Sequence, residues 1–188
     1  MPDKTICPFC GKTEFQEEVF YGKGKIERIN DANFYEITKL KVGKEQKNFI
    51  ASNTYSLAHA YLAQNNGIPV FPFGIFVEEK PIGFLMIGYN IFPDKQNEDA
   101  NCDWFLKDSY VLWRLMIDKK YQSKGYAKSA VKLALDFVRT FPCGKAKYCW
   151  LSYNNDNYVV KNLFKSFGFK EVPEAFYKGG EMPAVLSL

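Results

Sequence analysis

The chain has 188 residues, 47% of them hydrophobic, which is enough to build the core of one globular domain without disulfide or metal support. The net charge of +4 is too small to indicate a nucleic-acid partner, and no run of 18 apolar residues predicts a membrane span. Met1-Pro2-Asp3-Lys4 lacks the basic-then-apolar pattern of a signal peptide, and the cysteine count of 5 is odd. We therefore expect a cytoplasmic protein with free thiols.

The first 22 residues predict an N-terminal extension that precedes a domain of residues 23–188. Cys7 and Cys10 have the spacing of a zinc knuckle, in which two thiolates hold one metal from a tight turn. A structural zinc needs four ligands, and the other cysteines and the single histidine are scattered: Cys102, Cys143, Cys149 and His59. Three alternatives stay open: a tail without metal, a knuckle completed by the scattered residues, or two knuckles sharing one zinc across a homodimer.

From residue 24 onward, the hydrophobic pattern alternates between strand-like and helix-like segments. Alternation predicts a strand over 24–29, and Phe34, Ile37 and Leu40 predict a short helix. The remaining predictions, in chain order, are a helix over 49–64, strands over 70–77, 82–90 and 110–117, a helix over 125–139, a strand over 148–153, a helix over 158–167, and strands over 169–172 and 184–188. This order indicates an α/β fold with a mixed, twisted sheet covered by helices on both faces.

The segment from Tyr121 to Ala127 lies between the predicted strand over 110–117 and the helix that follows it. A short glycine-containing loop at a helix N-terminus exposes backbone N–H groups, and the helix dipole adds positive potential at the same point. Five lysines and no acid accompany it between residues 119 and 135: Lys119, Lys120, Lys124, Lys128 and Lys132. The segment predicts a phosphate-binding loop, and the alternative is an ordinary turn with a solvated lysine face.

Gln122, Gly125 and Ala127 follow one another in the order Gln/Arg-x-x-Gly-x-Gly/Ala. This loop resembles the acetyl-CoA pyrophosphate loop of the GNAT N-acetyltransferase superfamily. The segment 151–169, with an Asn157-initiated helix ending at Phe167-Gly168-Phe169, resembles the fifth strand and fourth helix of the same family. The resemblance covers roughly residues 25 to 188 and looks closest to bacterial polyamine acetyltransferases. It implies a mostly antiparallel GNAT-like sheet and transfer of an acetyl group from acetyl-CoA to a primary amine.

The resemblance also implies which residues hold acetyl-CoA. The pyrophosphate would meet the loop Gln122, Ser123, Lys124, Gly125, Tyr126 and Ala127, with Lys124 or Lys128 adding charge. The pantetheine arm would pair with the backbone of Met116, Ile117 and Asp118, and this strand would offer an N–H to the thioester oxygen. Asn157 would contact the arm, although its sequence position also suits a helix N-cap.

Proton transfer is where the sequence departs from the family. Many members carry a tyrosine just before the Phe-Gly turn as general acid toward the coenzyme A thiolate, and Phe164 stands there in this chain. Tyr153 is the candidate substitute, and Tyr158 lies on a different helical face. Family members often place a base or a water-holding residue at the start of the strand equivalent to 110–117, and Asp103, Asp108 and Tyr110 are the candidates in this chain.

The stretch from Asp94 to Asp108 is acidic. It contains only two lysines, Lys95 and Lys107, against five acids: Asp94, Glu98, Asp99, Asp103 and Asp108. Such a loop beside a basic phosphate loop suits an enzyme that joins an anionic cofactor to a small cationic acceptor, and we expect a polyamine. The alternatives are a solvated loop, acetylation of an aminoglycoside or a protein amine, and an acetyl-CoA-binding or zinc-knuckle interaction module with little catalysis.

Overall fold

A computed structural model of the chain describes residues 18–21, 24–92, 103–175 and 180–188. The strands and helices of these residues are, in chain order, β1 Glu18–Tyr21, β2 Gly24–Arg28, α1 Phe34–Lys39, α2 Asn53–Asn65, β3 Val70–Val77, β4 Lys80–Tyr89, β5 Ser109–Ile117, α3 Tyr126–Arg139, β6 Tyr148–Asn154, α4 Tyr158–Lys165, β7 Lys170–Glu171 and β8 Glu181–Ser187. Short 3₁₀ helices lie at Lys44–Gln46, Asp103–Phe105 and Pro173–Ala175. None of the helices in these ranges is long and apolar enough to cross a bilayer.

The described strands form one 8-stranded sheet in the order β1-β2-β3-β4-β5-β6-β8-β7. Every neighbouring pair is antiparallel except β5 and β6, which run parallel because α3 returns the chain between them. The predicted mixed, mostly antiparallel sheet is therefore confirmed.

The two faces of the sheet are covered by different helices. On one face, the apolar stripe of α3 buries Ala134 and Phe137, and the Phe137 ring meets Phe73 edge-on at a centroid distance of 4.9 Å. Phe164 of α4 belongs to the same cluster. On the other face, Ile37 of α1 and Ala60 of α2 lie in a cluster with strand side chains. The prediction of helices on both faces is confirmed.

Several element boundaries differ from the predicted ones. Helix α2 starts at Asn53 rather than Phe49, because the Ser52 hydroxyl accepts a hydrogen bond from the Tyr55 N–H and caps the helix there. Strand β4 begins at Lys80, and Glu78 and Glu79 alone form the turn, both with positive φ (49° and 62°).

The N-terminal strand was not predicted. Strand β1 lies within the first 22 residues and pairs with β2, Val19 opposite Ile26. The described part of the sheet therefore includes residues that the sequence assigned to an extension. Cys7 and Cys10 lie outside the described residues, so the zinc knuckle and the homodimer that would share it stay predictions.

Candidate active site

Strands β5 and β6 separate along their length. They pair at Ser109 with Tyr148, Tyr110 with Cys149 and Val111 with Trp150, and no further pair follows in the described chain. Beyond that point β5 stays paired with β4 up to Ile117, and β6 stays paired with β8 up to Asn154. The two strands therefore diverge within a continuous sheet. We call the gap between residues 112–117 of β5 and 151–154 of β6 the cleft.

A β-bulge marks the point where the cleft opens. Met86 pairs with Arg114 and Ile87 with Leu112, so Trp113 is an extra residue on β5. The Trp113 ring lies on the α2 side of the sheet, at a centroid distance of 4.5 Å from the ring of His59. Bulges of this kind redirect neighbouring side chains and free backbone groups from regular pairing.

The loop that follows β5 forms the wide end of the cleft, and we call residues 122–127 the anion loop. Ser123 and Gly125 have positive φ (60° and 84°), and Gly125 is the N-cap of α3. No hydrogen bond from a backbone N–H of residues 122–127 is found within the described chain. A Cβ built on Gly125 would meet nothing within 4 Å. The loop thus presents unpaired donors to open space at a helix N-terminus, the arrangement that binds anions.

Two side chains hold this loop in place. The Gln122 Nε2 donates to the Ile117 carbonyl and to Gln46 Oε1, both at 2.8 Å. Asp118 is buried, and its carboxylate accepts from the N–H groups of Lys41 (2.8 Å) and Lys120 (3.0 Å). Both side chains are engaged within the protein. They tie the anion loop to β5 and to the segment between α1 and α2.

The lysines near the loop are on the surface. Lys124 and Lys128 are both exposed, and Lys124 Nζ donates to the Lys120 carbonyl at 3.2 Å. Neither forms an ion pair with a carboxylate of the described residues, whose lysine ion pairs involve other lysines. Their charges add to the positive potential of the helix end.

Helix α4 follows β6, one wall of the cleft, after a short turn. Asn157 Oδ1 accepts from the Val160 N–H at 3.2 Å, so the expected N-cap is observed. The contact of Asn157 with a cofactor stays a prediction.

Tyr153 lies at the β6 wall, beside α4. It is buried, its ring stacks on Phe164 (centroids 6.4 Å apart), and its hydroxyl donates to Glu171 Oε1 at 2.9 Å. Lys161 Nζ lies 2.9 Å from the same oxygen. Burial, followed by the hydrogen bond to Glu171, raises the pKa of Tyr153, and the Lys161 hydrogen bond is the main cause that lowers the pKa of Glu171. Tyr153 therefore keeps its proton at neutral pH.

Asp108 and Tyr110 lie at the closed end of the β5–β6 pair. Asp108 is exposed in a positive-φ turn before β5, about 13 Å along the chain from Leu112, where the strands part. Tyr110 is fully buried, and its hydroxyl donates to the Gly144 carbonyl (3.1 Å) and accepts from the Cys143 N–H (2.9 Å). These contacts give Tyr110 a clear structural role, and the catalytic role of both residues stays a prediction.

Other predicted features fall outside the described residues: Asp94, Glu98, Asp99, the side chain of Asp103, Cys7 and Cys10. Among the residues that are described, no group of three or more His, Cys, Asp or Glu side chains could hold a metal ion.

The polar groups on the α2 side of the cleft were not predicted from the sequence. Arg114 is half-buried, its Nη1 donates to the Trp113 carbonyl at 2.8 Å, and its Nε is enclosed without a hydrogen-bond partner in the described chain. Desolvation lowers the pKa of Arg114, while the charges of Glu181 and Tyr55 partly offset that shift. Ser152 Oγ donates to Glu181 Oε2 at 2.5 Å. A lone arginine inside the apolar run 110–117 was the signal that could have pointed here.

Comparison with known proteins agrees with the fold. Residues 33–169 match the model of the acetyltransferase (GNAT) family, so the chain belongs to that family. The predicted resemblance is confirmed, and the protein is an N-acetyltransferase.

Three relatives illustrate the match. The chain is 28% identical to a protein named probable spermine N(1)-acetyltransferase from Bacillus subtilis subsp. natto (strain BEST195), over 82% of this chain and 92% of that one. It is 27% identical to spermine/spermidine N(1)-acetyltransferase of Bacillus subtilis (strain 168), with the same coverage. The solved structure of spermidine N-acetyltransferase from Vibrio cholerae, in complex with CoA and spermine, superposes with a TM-score of 0.62 at 15% identity, over 88% of this chain and 95% of that one.

Proposed function

We propose that the protein transfers the acetyl group of acetyl-CoA to a primary amine of a small cationic acceptor, a polyamine being the expected one. The observation that carries the proposal is the cleft between β5 and β6, which ends at an anion loop with unpaired N–H donors. The names of the two Bacillus relatives support the acceptor class, since both include spermine.

The pyrophosphate of acetyl-CoA would bind the backbone N–H groups of the anion loop. Ser123, Gly125, Tyr126 and Ala127 contribute donors, because their N–H groups have no acceptor within the described chain. Gln122 contributes its own N–H and fixes the loop through its side chain. Lys124 and Lys128 add charge from the surface.

The pantetheine arm would lie along β5 in the cleft. Met116 and Ile117 pair with β4 on one side only, so their other backbone edge faces the cleft without a strand partner in the described chain. An extended arm bound there would act as an additional strand. The Asp118 N–H donates to the Ile82 carbonyl, so Asp118 supports the arm by holding the loop rather than through its own N–H. Asn157 would approach the arm from the opposite wall.

The acetyl group would be positioned near the bulge. A backbone N–H of β5 at this point would stabilise the oxyanion of the tetrahedral intermediate, and a preorganised donor of this kind typically contributes about 2.7–4 kcal/mol. We assign the protonation of the leaving thiolate to Tyr153, whose hydroxyl stays protonated. Because its raised pKa makes the proton harder to give, we expect a modest contribution, and water is the alternative donor.

A screen of amines with release of free coenzyme A as readout tests the proposed function. Spermidine, spermine, an aminoglycoside and a peptide N-terminus are offered with acetyl-CoA under one set of conditions. We expect the highest kcat/KM for a polyamine. A higher value for the aminoglycoside or the peptide would replace the acceptor class, and cofactor binding without turnover on any amine would contradict the catalytic proposal.

A further inference from the structure

A carboxylate stands on the α2 side of the cleft. Glu181 pairs with Asn154 across β6 and β8, so the two side chains share a face of the sheet. Every second side chain of a strand lies on the same face of the sheet, so residues 150, 152 and 154 share one face. Trp150 is buried in the cluster beneath α1 and α2, which identifies this face as the α2 side. Ser152 Oγ donates to Glu181 Oε2 at 2.5 Å, which fixes the carboxylate against the β6 wall.

Arg114 lies on β5, the opposite wall of the cleft, next to the bulge at Trp113. Its guanidinium is close enough to Glu181 on β8 and to Tyr55 on α2 for their charges to act on it. No carboxylate oxygen lies within salt-bridge distance of Arg114 in the described chain. The cleft thus has a cationic side chain on its β5 wall, and a carboxylate of β8 that Ser152 holds beside its β6 wall.

Two other carboxylates among the described residues near the cleft, Glu171 and Asp118, are already engaged. Glu171 shares one oxygen between Tyr153 and Lys161, and Asp118 is buried and accepts two backbone N–H groups. Glu181 is exposed, and its one observed hydrogen bond is from a neutral hydroxyl. Unlike Glu171 and Asp118, it can still receive a cation and a proton.

The reaction needs such a group. A protonated amine has no lone pair, so one proton must leave the ammonium before nitrogen attacks the thioester carbon. The N–C bond then forms, the C–S bond breaks, and the second nitrogen proton goes to the thiolate to give free coenzyme A. A nearby carboxylate attracts the ammonium and accepts the first proton, while a nearby cation disfavours the charged amine.

We propose that Glu181 is the proton acceptor for the attacking amine, with Ser152 and Arg114 as positioning residues on either wall. The proposal rests on the proposed acetyl transfer and adds the residue that activates the acceptor. Glu181 then releases the proton to solvent, to which its exposed position gives direct access.

Glu181→Gln tests the proposal, because glutamine retains an acceptor for the Ser152 hydroxyl but cannot take the proton. We expect kcat to fall by about 10²-fold or more near neutral pH, which is the usual scale of general base catalysis. The affinity for acetyl-CoA should be unchanged. Above about pH 10, where a free amine loses its proton unaided, the variant should regain most of the wild-type rate.

This recovery at high pH separates proton transfer from a structural role, which alkaline conditions would not restore. Glu174→Gln is the matched control, since Glu174 is an exposed glutamate in the 3₁₀ helix that precedes β8, and it should behave as wild type. Glu181→Asp keeps the carboxylate with a shorter reach and should fall between wild type and Glu181→Gln. It also serves if the glutamine variant does not fold.

The assay uses whichever amine the wild-type enzyme acetylates. Rejection of polyamines by the wild type would therefore overturn the acceptor class and leave this test in force. A Glu181→Gln rate within threefold of wild type at neutral pH overturns the proposal. A change in acceptor KM alone, with kcat and its pH profile intact, also overturns it, because Glu181 would then bind the cation without taking its proton.

Discussion

The two sides of the cleft differ in whether their polar side chains have hydrogen-bond partners within the protein. Beside α4, the side chains of Tyr153, Glu171 and Lys161 form a closed set of hydrogen bonds. Beneath α2, Arg114 Nε and Trp150 Nε1 are enclosed with no hydrogen-bond partner in the described chain. Buried donors without partners cost folding free energy, about 1–3 kcal/mol each. The α2 side therefore has the features of a surface shaped for a ligand, whereas on the α4 side hydrogen bonds within the protein hold Tyr153 in a fixed position.

The largest effect is expected at the anion loop, which serves both sides. Gly125→Asp puts a carboxylate where the pyrophosphate would bind, and we expect at least a ~100-fold loss of acetyl-CoA affinity, or about 2.7 kcal/mol. Isothermal titration calorimetry measures it. Gly67→Asp is the matched control, because Gly67 also has positive φ (76°) and open space around its Cβ. Equal cofactor affinity in both folded variants would remove the loop from the site.

The α4 side should respond mainly in stability. Tyr153→Phe removes a hydrogen bond that typically contributes 0.5–1.5 kcal/mol, so the free energy of unfolding should fall by about 1 kcal/mol. Turnover should fall by about tenfold at most, with cofactor affinity intact, if the hydroxyl donates to the thiolate. Urea denaturation and steady-state kinetics measure the two effects. An unchanged kcat would assign thiolate protonation to water.

Arg114 should show the opposite behaviour. Replacing a half-buried cation that has no ion-pair partner by an apolar side chain of similar length is often neutral or stabilising, so Arg114→Met should not lower the free energy of unfolding. The pH at which the acceptor becomes reactive should rise, because the cation no longer disfavours the ammonium. Arg139→Met, at the exposed end of α3, is the control. A destabilisation of several kcal/mol would show that Arg114 is a structural residue.

The smallest effect concerns pH and Glu171. Its pKa is lower in the folded protein, chiefly through Lys161, so its ionised form stabilises the fold above its ordinary value of about 4.3. That contribution disappears as pH falls through the folded value. Glu171→Gln should therefore lose less stability than wild type on acidification below about pH 5, whereas Glu174→Gln should follow wild type. Thermal melts between neutral and acid pH compare the three proteins.

Local patterns predicted the part of the site that is contiguous in sequence. The strand β5, the anion loop and α3 follow one another, and each has its own pattern: β-branched and aromatic residues, a glycine with positive φ, and an amphipathic stripe. The same holds for the Asn157 N-cap and for the end of that helix at Phe167-Gly168-Phe169, where Gly168 has a positive φ of 91°.

Long-range pairing could not be predicted in this way. The cleft exists because β5 and β6 stop pairing after Val111. No sequence pattern near Val111 predicts that the pairing ends there. The meeting of Ser152 with Glu181 depends on the register of β6 and β8, and that of Tyr153 with Glu171 joins residues 18 apart. Pro81 was expected in a turn but lies in β4, opposite Phe76 and next to an irregular register step in β3, where its missing N–H is tolerated.

The central claim is that this cleft joins acetyl-CoA to a polyamine. The most direct measurement is the initial rate of spermidine acetylation by the wild-type protein and by Gly125→Asp, with the acetylated amine identified by mass spectrometry and Gly67→Asp as control. We predict saturable formation of N-acetylspermidine by the wild type and by Gly67→Asp, and a loss of at least ~100-fold in kcat/KM for acetyl-CoA in Gly125→Asp. No acetylated spermidine from the wild type, or an equal rate from Gly125→Asp, would contradict the account.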